Sequence, residues 1–139
     1  MATITLTAAN VRVGTLGTSS VGTAGEAISS GDLVYLKAGD GKYWKAVNTT
    51  EAEADYVGVA LSNAEVDVKF AFLNAVNGVT GLEHTTGVWT QGKTYVVGDT
   101  AGTMMDAADI AASDYVTVVA VASSTTAVVL FRGTTGFTG

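Results

Sequence analysis

Several things are missing from this chain of 139 residues, and each absence excludes a class of chemistry. There is no cysteine. That removes disulfides, thiol nucleophiles and zinc–thiolate sites, and it leaves the redox compartment open. There is no proline either, although about 5% is usual. Charged residues make up 14% of the chain, against roughly a quarter in ordinary globular proteins. The basic residues number seven (Arg12, Lys37, Lys42, Lys45, Lys69, Lys93 and Arg132) and are scattered, while the net charge is −6. Such a surface repels phosphate backbones, so no nucleic-acid binding is expected. The longest apolar run, near residues 116–122, falls far short of the ~20 residues a membrane helix needs. No membrane partner is therefore expected. The first residues hold no basic stretch followed by an apolar core, so no secretory leader is expected.

What is present is Gly, Thr, Val and Ala. Thr and Val are β-branched and favour strands, and the 17 glycines supply the positive-φ positions that tight turns need. The composition predicts many short strands joined by short turns in a chain long enough for one domain. The expected fold is all-β, a compact antiparallel barrel or sandwich with at most short helical turns.

Residues 1–25 carry a single charge, Arg12, and are rich in Thr, Ser and Gly. Apolar residues alternate at Ile4 and Leu6, then at Val11 and Val13, so the segment is extended. Two readings stand open. The segment is the first strand of the domain followed by a Gly/Ser loop, or it is an arm that adds a strand to a neighbouring subunit. Under the arm reading the candidate interface residues are Ile4, Leu6, Val11, Arg12, Val13 and Leu16, and a chain lacking residues 2–20 stays folded but associates weakly. Under the strand reading that deletion unfolds it.

From residue 26 to residue 139 the text reads as one β domain of chained hairpins. Residues 33–36 (LVYL) form a strand, Asp40-Gly41 is a two-residue hairpin signal, and residues 42–45 (KYWK) return. Thr50 and Glu53 are spaced as a capping box, predicting a turn or two of helix. Residues 56–61 (YVGVAL) are the next strand. Residues 65–72 alternate, which predicts a half-buried strand with Val66, Val68, Phe70 and Phe72 on one face and Glu65, Asp67 and Lys69 on the other. Asn77-Gly78 marks another turn. The second half then resembles the first: GDLVYL at 31–36 matches GKTYVV at 92–97, DYVGV at 55–59 matches DYVTV at 114–118, and VKF at 68–70 matches VLF at 129–131. Offsets of 59 to 61 suggest a duplicated unit, about 26–76 and 87–133.

The motif search yields little chemistry. Residues 87–94 (GVWTQGKT) fit G-x-x-x-x-G-K-[ST]. A P-loop must open a helix whose N-terminus faces the phosphates, yet β-branched and aromatic residues follow Lys93 and a strand is expected there. His84 is the sole histidine, and it reads as a polar-loop residue rather than a triad member. No calcium-loop spacing surrounds Asp40 or Asp99. Core packing is expected for at least one of Trp44 and Trp89, and Met104-Met105 reads as apolar filler in core or interface. No catalytic residue, cofactor or metal site is expected, and the chain does not read as an enzyme.

The stretch GEAISSGDLVYL at 25–36, the hairpin DGKYWKA at 40–46 and the strand YVGVAL at 56–61 resemble bacteriophage capsid decoration proteins, also called cement or head-stabilising proteins. The similarity is best over residues 25–61 and weaker to residue 133. The resemblance implies a compact β domain, often a homotrimer, made in the host cytoplasm. Its place is the exterior of the capsid, where it binds the major capsid protein at junctions between subunits and braces the shell. The uncharged tail at 133–139 and the segment at 1–25 suit such interfaces, whose cores are depleted of charge. The competing readings are a receptor- or glycan-binding β module of a virion fibre or appendage, and an enzyme with an unrecognised site.

Overall fold

The computed structural model describes residues 3–4, 6, 10–14, 17–76 and 78–132. Leu16, Asn77 and the tail at 133–139 lie outside the described residues. The fold is all-β, a sandwich of two antiparallel sheets. The strands are β1 (Thr3–Ile4), β2 (Val11–Val13), β3 (Ser19–Thr23), β4 (Leu33–Leu36), β5 (Tyr43–Lys45), β6 (Gly58–Ala60), β7 (Lys69–Asn74), β8 (Val79–His84), β9 (Thr94–Val97), β10 (Met104–Asp106), β11 (Val118–Ala122) and β12 (Ala127–Leu130). One short helix, α1 (Glu51–Ala54), and a 3-10 turn at Ala107–Asp109 complete the described elements.

The two halves share one wiring. The five-stranded sheet runs β3-β7-β6-β4-β5, and the seven-stranded sheet contains β8-β12-β11-β9-β10 in the corresponding order. Each half thus builds a sheet of its own, with a helical turn between its third and fourth strands in both cases. The matching unit begins one strand earlier than the sequence comparison suggests, at β3 and β8. Glycines follow the same rule. Gly31 and Gly92 have φ of 98° and 85°, and Gly41 and Gly102 have φ of 67° and 84°. Each pair is separated by the 61-residue offset, at turns where only glycine adopts this backbone without strain.

Local signals explain most elements. Thr50 caps α1 by accepting the Glu53 N–H at 3.2 Å, and its hydroxyl donates to Glu53 Oε1 at 2.8 Å. The β4–β5 hairpin closes through residues 38–41 rather than a two-residue loop. Lys37 N–H donates to Lys42 O and Gly41 N–H donates to Lys37 O, both at 2.9 Å. Gly41 supplies the left-handed position, and the Asp40 carboxylate takes the Lys42 N–H at 2.9 Å. One strand differs from expectation. Residues 65–68 are not part of a strand, because Asp67 has φ 68° and Val68 N–H turns back to Glu65 O at 3.1 Å. β7 begins at Lys69, so Phe70 and Phe72 are buried while Val66 and Val68 are 56% and 49% exposed.

Two apolar clusters result. The larger lies between the sheets and joins Leu33, Tyr35, Val59 and Leu73 of one to Leu82, Val97, Met104 and Leu130 of the other. Tyr56, fully buried, donates its hydroxyl to Val119 O at 3.0 Å and also contacts Phe131 O, tying the halves together. Burial pushes its hydroxyl pKa well above the ordinary value. The smaller cluster, Ala24, Ile28, Val34, Ala60, Ala64, Phe70 and Phe72 with Tyr43 against it, fills the other face of the five-stranded sheet. That sheet curls until the residue after β3 meets β5 in a parallel bridge, Ala24 to Tyr43.

The described part of residues 1–25 is woven into the domain and is not a free arm. β1 pairs with β10, β2 with β8 and β3 with β7. An alternating strand satisfies its hydrogen bonds on whichever edge is nearest, and here both edges of the seven-stranded sheet belong to the same chain. Leu6 and Val11 enter the inter-sheet core. A methyl group at Gly31 would lie 2.9 Å from Leu6 Cβ and 3.2 Å from Val11 Cγ2, whereas one at Gly92 would meet nothing within 4 Å. Gly92→Ala is therefore expected to cost only the left-handed backbone penalty, about 1–2 kcal/mol. Gly31→Ala adds overpacking of about 1–3 kcal/mol. Urea unfolding of the two variants measures the difference, and equal losses would show that Leu6 and Val11 do not pack over Gly31 in solution.

Candidate interaction surface

The open end of the curled five-stranded sheet carries the most distinctive surface. Two connections meet there, one leading from β3 to β4 and one from β6 to β7. They are joined by an antiparallel bridge in which Ile28 N–H donates to Ala64 O at 2.8 Å and Ala64 N–H donates to Ile28 O at 2.9 Å. Ser30 N–H donates to Asn63 Oδ1 at 2.8 Å, and Asp67 N–H donates to Ala24 O at 2.8 Å, which fixes both connections to the sheet. Between them lies an open cleft of about 550 Å³ with buried Ile28 and Ala64 at its base and Ala27, Val68 and Glu65 at its sides. Val66, beside Glu65, is exposed next to it.

Glu65 is the charged residue in the lining, and further charge is placed around the mouth. Lys42, from the tip of the β4–β5 hairpin, forms an ion pair with Asp67, and the contact raises the lysine pKa. Asp40 is held below its ordinary pKa, chiefly by the Lys42 N–H and further by Trp44 Nε1, which donates at 3.1 Å. Both groups are solvent-exposed, so the ion pair is worth little as stability. Its effect is to hold Asp67 and with it the turn that presents Val66 and Val68. Trp44 is already engaged: Lys37 Nζ lies 4.5 Å above its ring. Trp89 is buried, with Nε1 donating to Met104 Sδ at 3.3 Å.

The residues singled out from sequence are not gathered into one surface. Ile4 sits in β1 opposite Met104, half-buried. Leu6 and Val11 are core residues. Arg12 is exposed, opposite Glu83 in register, with Nη1 donating to Val11 O at 3.2 Å. Val13 is 46% exposed. His84 is not a loop residue but the last residue of β8, 1% exposed. Its Nδ1 is 2.8 Å from Thr86 O and its ring meets Trp89 edge-on. The P-loop-like stretch leads into β9, a strand where a phosphate loop requires a helix.

Sequence reading missed the cleft because Ile28 and Ala64 come from separate connections. The available signal was an apolar pair, Val66 and Val68, flanked by Glu65, Asp67 and Lys69, which reads equally well as a strand. Among the described residues no group of three or more His, Asp or Glu side chains could hold a metal ion, and no helix is long and apolar enough to cross a membrane. No protein-family model matches the chain, and no curated protein matches it.

Proposed function

We propose that the protein is a structural component of a phage virion. In this reading it binds the capsid exterior at junctions between major capsid subunits, as a homotrimer, and braces the shell. The observation that carries the reading is the largely apolar cleft formed by Ala27 and Val68 over Ile28 and Ala64, with Val66 exposed next to it in sequence. Large exposed aliphatic side chains grouped on a surface mark protein contact sites, and interface cores are poor in charge. The stretch that resembles decoration proteins, residues 25–36, supplies Ala27, Ile28 and Ser29 of this cleft. Many copies on one lattice turn a modest contact into firm attachment through multivalency.

The test uses empty shells of the phage whose genome carries this reading frame, assembled without the protein. The intact chain is expected to co-sediment with them at micromolar concentration and to raise their disruption temperature. A Val66→Asp/Val68→Asp variant changes exposed side chains only, so it is expected to fold with an unchanged Tm. Burying two unpaired carboxylates in the contact should weaken shell binding about 100-fold or more. Failure of the intact chain to bind would sink the capsid reading. Undiminished binding by the folded double variant would move the contact elsewhere on the molecule.

A further inference from the structure

We infer that Asn48 and Thr117 together hold one water molecule inside the protein, where its two halves meet. Both residues are sealed, at 2% and 0% exposed. Main-chain bonds put them beside the same segment. Asn48 N–H donates to Gly98 O at 3.1 Å, Val97 N–H donates to Thr117 O at 3.1 Å, and Tyr115 N–H donates to Asn48 O at 3.0 Å. Asn48 comes from the first half and Thr117 from the second, so the Val97–Gly98 segment is flanked from both. Asn48 Nδ2 and Thr117 Oγ1 are buried polar atoms with no hydrogen-bond partner among the described residues.

Two such atoms on residues that flank one main-chain segment are unusual, because buried polar groups are nearly always paired. Leaving both unpaired costs more than immobilising one water. The chemistry selects water among small ligands. Nδ2 only donates, whereas the hydroxyl donates and accepts. A water accepts from Nδ2 and donates to Oγ1, giving each atom a partner. A cation is unsuited, because the amide nitrogen presents hydrogens to it.

The sign of a stability change separates the two possibilities. If the water is present, Thr117→Val removes one of its partners and lowers Tm, by about 3 °C for a domain of this size. If the pair is dry, the same substitution deletes an unpaired hydroxyl in an isosteric side chain and raises Tm. A second readout does not depend on stability. Oxygen-17 relaxation dispersion of the intact protein should count one more long-lived water than that of Thr117→Val. A raised Tm, or an equal count of long-lived waters in the two proteins, overturns the inference.

Discussion

A chain lacking residues 2–20 is expected to lose its cooperative unfolding transition, or to retain one at a Tm lower by more than about 15 °C. The deletion removes β1 and β2, the two outer strands of the seven-stranded sheet. It strips β10 and β8 of one partner strand each and cuts β3 to its last residues. It also takes Leu6 and Val11 out of the inter-sheet core. Each of those side chains contributes about 1.5–3 kcal/mol by burial, and the lost sheet pairing comes in addition. The sum approaches the whole stability of an ordinary domain, about 5–15 kcal/mol. Circular dichroism melts and urea titrations of the truncated and full chains check it. A truncated chain that melts like the full one would restore the reading of this segment as an arm that pairs with a neighbouring subunit.

Gly58→Ala is expected to destabilise the protein by about 3 kcal/mol, the upper end for overpacking in a filled interior. Gly58 opens β6, a strand hydrogen-bonded on both sides, to β4 and to β7. A methyl group there would lie 2.2 Å from Leu73 O and 2.8 Å from the Phe72 ring. The first of these is backbone in the adjacent strand, so it cannot turn aside as a side chain does. Relief requires the β6–β7 pair to separate, and β7 in turn holds β3. Gly39→Ala is the matched control: a methyl group there meets nothing within 4 Å, and the variant should lie within about 0.5 kcal/mol of the parent. Urea unfolding of both variants measures the contrast. Equal stability of the two would mean that β6 and β7 are not as closely paired in solution.

The candidate surface was only half legible beforehand. In the sequence Val66 and Val68 read as part of the buried face of a strand. Apolar–polar alternation says that a segment is extended or turning and has two kinds of side chain. It does not say where a neighbouring strand stops. Asp67 takes a left-handed backbone, which an aspartate adopts more readily than most residues, and its carboxylate meets Lys42 of a hairpin distant in sequence. Nothing near Asp67 in the text announces that lysine. The cleft base was hidden for the same reason, since Ile28 and Ala64 meet through a single bridge between two connections.

By itself the sequence determined the all-β character, the hairpin about Asp40-Gly41, the capped turn at Thr50 and the duplicated plan of the two halves. Those features rest on short-range effects: β-branched propensity, glycine at positive φ, a hydroxyl three residues from an amide. Only the tertiary structure decided that Thr3–Ile4 and Val11–Val13 line the two edges of the second half's sheet, that His84 is enclosed, and that Val66 and Val68 face outward. An extended strand offers the same hydrogen bonds to any edge, and burial is a property of whatever packs above a residue. Both depend on contacts between parts of the chain far apart in the text.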